Sequence, residues 1–265
     1  MTYLILIFIS FSASVIGSIC GIGGGVIIKP VIDSLGIFSA GTVSLLSGCI
    51  VLSMAAYSVV CSKLSGSCHI DQSRSGWLGL GAAMGGLSGK KLLDLIEGIT
   101  AGADRIGAVQ AAVLFAVTFA TVIYTLNKEK IHSNEVKSPV LCSLIGLALG
   151  MLSSFLGIGG GPINLVVLYY FFSMDTKCAA QNSLYIIFIS QLISLLFSFA
   201  TGEIPKLPLL LYMLMVCCGI LGGAVGRKIN KQISEKNVNK LFIALLCIIM
   251  IICCYNFCRF YGLSL

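Results

Sequence analysis

The five residues Gly21-Ile22-Gly23-Gly24-Gly25 return as Gly157-Ile158-Gly159-Gly160-Gly161, each time inside a long apolar run. Glycine costs roughly 1 kcal/mol against alanine in a helix interior, so four in five positions interrupt a helix there. Length points the same way. The run from Tyr3 to Ile37 would measure about 50 Å as one straight helix at about 1.5 Å per residue, while a hydrocarbon core is about 30 Å thick. Val140 to Ser173 is nearly as long. Irregular backbone at membrane depth is tolerated only where protein buries it or where it lines a wet cavity, and paired broken segments are a transporter device. The two breaks are the expected place of substrate binding.

That presumes a membrane, and composition supplies it. Of 265 residues, 57% are hydrophobic and 10% charged, with mean hydropathy +1.02; a soluble domain carries roughly 25% charge. The expected fold class is an all-α polytopic membrane protein with about eight transmembrane helices in two repeated halves, each containing a Gly-rich broken helix. Full spans are expected near 3–20, 40–61, 76–93 and 107–126, then 140–156, 178–200, 207–226 and 240–258. The short apolar pieces 26–37 and 162–173 are half-helices or re-entrant arms. The N-terminus has no basic region before its apolar stretch, so no cleaved signal peptide is expected. The expected location is the cell membrane, multi-pass.

The repeat extends well beyond the glycines. Adding 136 takes Ser18 to Ser154, Ser47 to Ser183 and Ser62 to Ser198; adding 137 takes Gly85-Gly86 to Gly222-Gly223, Gly89 to Gly226 and Lys90-Lys91 to Arg227-Lys228. Duplication explains a register held over so many positions. It divides the chain into a first membrane repeat, 1–127, a charged linker, 128–139, and a second repeat, 140–265. Four spans per half make the repeats parallel; if the arms after the glycines cross or re-enter, an inverted relation becomes open. On the eight-span count, Lys29, Lys90, Lys91, Arg105, Lys177, Arg227, Lys228, Lys231, Lys236 and Lys240 share one side, which the positive-inside tendency makes cytoplasmic.

Chemistry is read against this frame. Backbone N–H groups at the start of a half-helix have no intrahelical acceptor and sit at the positive end of its dipole, which makes an anion site. Gly21, Gly23, Gly24 and Gly25 with Gly157, Gly159, Gly160 and Gly161 are therefore the leading candidates, and Pro162 suits a helix start. Close helix packing is the alternative use of such glycines. Lys29, four residues before Asp33, either adds charge to that site or pairs on its own helix. Ser47, Asn164, Gln181, Asn182 and Ser183 are neutral polar residues able to replace part of an oxyanion's hydration shell, or to bond helix to helix. The basic cluster from Arg227 to Lys240 reads as a loop near anionic headgroups, with no substrate role.

Other classes fit less well. The 17 Lys and Arg giving a net charge of +7 are scattered through short connections, so no nucleic-acid face is expected. Most of the twelve cysteines lie in apolar runs, leaving Cys61 with Cys68 as the pair worth a redox test. His69 and His132 lack partners for a metal site. There is no nucleophile-base set, so neither catalytic residues nor a cofactor are expected.

The duplicated Gly-Ile-Gly-Gly-Gly, the later Gly-Gly-x-x-Gly-Lys/Arg-Lys at 85–91 and 222–228, and the chain length together resemble the sulfite exporter TauE/SafE family. The resemblance covers essentially the whole chain. It implies an inner-membrane permease built by duplication that moves sulfur-containing anions such as sulfite, sulfonates or sulfoacetate. Val26 follows the first motif and Pro162 the second, so the two half-sites need not be equivalent. The expectation is a small anion held where the breaks face each other, in a protein whose solvent is the lipid bilayer, with alternating access by one half moving against the other. Coupling to protons or to the membrane potential stays open. A channel-like anion pathway and a membrane sensor or assembly partner are the rivals.

Overall fold

The computed structural model describes residues 2–36, 38, 40–65, 71–99, 103–128, 135–158, 160–202 and 207–260. Every regular element among the described residues is a helix, as lipid demands of a chain that must satisfy its own backbone. In order they are α1 (Thr2–Cys20), α2 (Gly25–Leu35), α3 (Ala40–Ser65), α4 (Gln72–Ile99) and α5 (Ala103–Asn127), then α6 (Pro139–Phe155), α7 (Pro162–Phe172), α8 (Thr176–Thr201), α9 (Leu209–Gln232) and α10 (Glu235–Phe260). Five of them hold stretches long and apolar enough to cross a membrane: Gly41–Leu64, Ile106–Asn127, Thr176–Thr201, Leu209–Gln232 and Glu235–Phe260. The apolar α1 and α6 are shorter, and α4, at 28 residues, is not one of the five. The pieces after the glycines are genuine helices of 11 residues each, about 16 Å long.

Packing fixes the direction of every helix. Along α1 and α9, Ser10 meets Met215, Gly222 packs on Ser14, Gly226 on Val15 and Asn230 on Ile19, so the two run parallel. Helices α4 and α6 run parallel too, with Gly81 on Ser143, Gly85 on Leu147 and Gly89 on Met151. Ile50, Met54 and Ser58 of α3 meet Gly219, Gly223 and Arg227 of α9 in the same sense. Ser75, Gly79 and Lys90 of α4 meet Asn182, Ile189 and Ser198 of α8 likewise. By contrast, α3 and α8 are antiparallel, with Ser62 against Gln181 and Gly48 against Gln191. The start of α10 meets the start of α8 through Asn239 and Thr176, and its end meets Pro30 and Asp33 of α2 in the same sense. That end also meets Gly107 at the start of α5, in the opposite sense. Tyr124 and Tyr170 join the ends of α5 and α7. Successive helices therefore alternate in direction from α1 to α10. Helices α1 to α5 follow the opposite sequence of directions from α6 to α10.

One consequence corrects the eight-span grouping of charges. Lys90 and Lys91, near the end of α4, lie at the end of the bundle opposite to Arg227 and Lys231, near the end of α9. A second concerns the halves as moving bodies. Because α1 packs along α9 and α4 along α6, the first and second halves of the chain interleave. Rigid rocking of one against the other would have to tear both interfaces.

Gly85, Gly89, Gly222 and Gly226 of the later motif are packing residues. A Cβ on Gly85 would strike the Leu147 carbonyl oxygen, and one on Gly89 would stand 2.7 Å from that of Met151. A Cβ on Gly222 would stand 2.9 Å from the Phe11 carbonyl oxygen, and one on Gly226 would strike that of Val15. Small residues at four-residue spacing let two backbones touch, the usual membrane solution where no hydrophobic effect drives helices together.

Candidate functional site

Each break is built the same way from its residues. Helix α1 closes when the amides of Gly21 and Ile22 both donate to the Gly17 carbonyl, at 2.8 and 3.2 Å, with Gly21 at φ +76°. That left-handed conformation is glycine's own, and it ends the helix. The chain folds back so that Gly24 lies against the Ala13 carbonyl, and α2 starts at Gly25. At the second break, the amide of Gly157, with φ +64°, donates to the Ser154 carbonyl, and that of Ile158 to the Ser153 carbonyl. Gly160 stands at φ +132°, Gly161 is extended, and Pro162 opens α7.

The two breaks touch each other. Gly25 packs on the Ile158 carbonyl and on Ser47, whose Oγ would stand 2.9 Å from a Cβ there. Gly161 faces Val26, and Gly23 and Gly160 both rest on Ile187 of α8. Gly23 also meets Val51 of α3. Val51 and Ile187 each stand twelfth in a 26-residue helix, so the contact lies at mid-depth of the bundle. The N-termini of α2 and α7 converge there, each presenting the positive end of a helix dipole.

Around this point the candidate side chains divide. Asn164, on the first turn of α7, is 3% exposed; its Nδ2 lies 3.6 Å from where a Cβ of Gly160 would stand, and its Oδ1 has no partner. Ser183 is fully buried, and its Oγ also has no partner. It sits on the stripe of α8 between Ala180, which packs on Gly21, and Ile187, which packs on Gly23 and Gly160. Ser47, its repeat mate, is buried against Gly25. These residues are brought together with Gly21, Gly23, Gly24, Gly25, Gly160 and Gly161. Gly159 lies outside the described residues.

Lys29 reaches the second break from α2. Its Nζ donates to the Leu156 carbonyl and to Gln110 Oε1, both at 2.9 Å, and it stands against Gly157. Gln110 Nε2 in turn donates to the Phe155 carbonyl at 2.7 Å. A buried cation thus meets the carbonyl end of α6, the negative end of that helix. At the first break Ile19, which the repeat matches to Phe155, likewise takes a side-chain amide on its carbonyl, Asn230 Nδ2 at 2.6 Å, while the place of Lys29 is taken by Leu165 in the second repeat. The half-sites differ as the neighbours of the glycines suggested.

Two candidates turn elsewhere. Asn182 Oδ1 accepts from the Asp71 amide at 3.0 Å and from Ser75 Oγ at 2.7 Å, while its Nδ2 donates to the Cys178 carbonyl, so it secures the start of α4. Gln181 Oε1 accepts from Ser62 Oγ, away from the breaks. Sequence reasoning missed Ile187, which looks like any core aliphatic, and Gln110, the one amide in α5 before its last residue, Asn127. Cys61 is in no disulfide, Cys178 is disulfide-bonded, and Cys68, His69 and His132 lie outside the described residues. Among the described residues no cluster of three or more metal-ligating side chains occurs.

Comparison with known proteins adds one match. Residues 6–252 fit the family described as Sulfite exporter TauE/SafE. No curated protein and no solved structure matches the chain.

Proposed function

Since the chain belongs to the TauE/SafE sulfite exporter family, we propose that it is a permease for small sulfur-containing anions such as sulfite, sulfonates or sulfoacetate, and that the anion binds between the two glycine breaks. The observation that carries the reading is the meeting of two helix N-termini at mid-depth beside a buried hydroxyl, Ser183, whose Oγ has no partner, and the Nδ2 donor of buried Asn164. Amides and neutral donors bind an oxyanion without a full countercharge that would hold it too tightly to release. Lys29 contributes positive potential from behind the second break rather than a direct grip.

Direction and length suggest the membrane arrangement. Helix α1 carries the chain most of the way across, and α2 returns it from mid-depth to the side it left. The same holds for α6 and α7. Each pair is a re-entrant hairpin followed by three crossings, and an odd number of crossings inverts the second repeat, 140–265, relative to the first, 1–127. Among the described residues, one end of the bundle holds Lys63, Arg74, Lys128, Lys137, Lys177, Arg227, Lys228, Lys231, Lys236 and Lys240, and the other only Lys90, Lys91, Arg105 and Arg259. The first end is cytoplasmic by the positive-inside rule.

The test is a thermal-unfolding panel on detergent-purified protein with sulfite, sulfate, thiosulfate, methanesulfonate and acetate. A ligand of the folded state raises its stability by mass action, so sulfur oxyanions should raise Tm and acetate should not. Saturable exchange in proteoliposomes separates a permease from a channel. No shift with any anion, joined to no flux, removes the assignment.

A further inference from the structure

Away from the breaks, a small cleft with about 20 Å³ of space for water opens between α1, α3, α8 and α9, lined by Ser18, Ser58, Ser62, Arg227, Asn230 and Lys231 among others. That is room for about one ordered water, below a mouth where an oxyanion can meet Arg227 and Lys231. Its floor is polar and deep: Ser18, Ser58 and Ser62 are each 3–4% exposed and Asn230 is 8% exposed. Lys231 is exposed at its mouth. Arg227 Nη1 donates to the Ser58 carbonyl at 2.8 Å and to Ser62 Oγ. A guanidinium carries five donors in a planar fork suited to sulfonate or phosphate oxygens. Ala180, which also lines the cavity, packs on Gly21 of the first break. The cavity therefore ends against the break itself.

The pair at its centre has a counterpart. The repeat takes Lys90 to Arg227 and Ser62 to Ser198, and Lys90 Nζ donates to Ser198 Oγ at 3.2 Å. Because α3 and α8 are antiparallel, Ser62 and Ser198, each near the end of its helix, lie at opposite ends of the bundle. A cation bonded to a serine thus marks each end, with the glycine breaks between them.

We propose that the Arg227 cavity is the vestibule where the transported oxyanion docks from the cytoplasmic face, and that Lys90 with Ser198 marks the corresponding docking point on the other face. The inference rests on the permease reading above and adds to it a sided pair of cationic approaches. Charge is useful there and not at the centre: a cation near water gathers anions and raises their local concentration, and the neutral amides further in let them go.

The experiment measures uptake of labelled methanesulfonate by membrane vesicles of both orientations carrying the full chain. Arg227→Gln and Lys231→Gln should raise KM about tenfold and a few-fold respectively when the anion arrives from the cytoplasmic side, the scale of a lost charge-assisted hydrogen bond. From the opposite side KM should stay within about twofold, and Lys90→Gln should show the reverse. Arg227→Lys should restore most of the loss. Lys231 is exposed, so its variant reports even if Arg227→Gln fails to fold, which thermal unfolding reveals. Equal effects from both sides, or none in Lys231→Gln and folded Arg227→Gln, overturn the inference while leaving the permease reading intact. Wild-type vesicles that carry no methanesulfonate, sulfite or sulfate overturn both. Isothermal titration of delipidated protein with methanesulfonate and with a short-chain phosphatidic acid supplies the last arm. Binding of the lipid alone makes the cavity a headgroup site and also overturns the inference.

Discussion

Ser183 shows how a single atom separates structural from functional use. Its hydroxyl is fully buried without a partner, a state that costs about 1–3 kcal/mol of desolvation. Ser183→Ala should therefore raise Tm in the absence of anion, and it should weaken methanesulfonate binding about tenfold. A variant that binds as well as wild type would assign the hydroxyl to neither role. Lys29 makes the opposite case, since Lys29→Met strips donors from the Leu156 carbonyl and Gln110 Oε1 in the interior. Thermal or denaturant unfolding in detergent should register a loss of about 1–3 kcal/mol, less than additive with Gln110→Ala because both residues serve the end of α6. The glycine breaks were legible in the sequence because glycine's backbone freedom is a property of the residue. The Lys29 bonds were not, because Leu156 and Gln110 are brought to it only by the packing of α5 and α6 on α2.

At the scale of the helix, the repeat paired Gly85 and Gly89 with Gly222 and Gly226, and the structure shows that all four make close contacts. What the repeat left open was the partner and the direction. Those follow from which carbonyls fill the grooves, Leu147 and Met151 for α4, Phe11 and Val15 for α9. The adjacent Gly86 meets nothing within 4 Å. Gly86→Ala should accordingly gain up to about 1 kcal/mol from helix propensity, whereas Gly85→Ala should lose stability by forcing α4 from α6. Size-exclusion profiles and Tm of the two variants, one position apart, check this. The expected half-helices at 26–37 and 162–173 match α2 and α7 to within two residues. Their reversal of direction was not visible, since a glycine run permits a turn of any angle and only the contact of Gly24 with Ala13 fixes this one.

For the molecule entire, alternation of the ten described helices puts Thr2 and Phe260 on the face opposite the facing ends of α5 and α6. Alkaline phosphatase fused after Leu265 should be active and the same enzyme inserted near Glu135 inactive, as the charge imbalance requires; the reverse pattern would turn the protein over. The parallel pairing of α1 with α9 also imposes an order on synthesis. Ser14 leaves the ribosome more than 200 residues before Gly222, its partner, and at about 5–20 residues per second the first helix spends roughly 10–40 s in the bilayer with its small-residue face open to lipid. For that interval the nascent chain has no seat for its opening helix, and quality control meets it in that state.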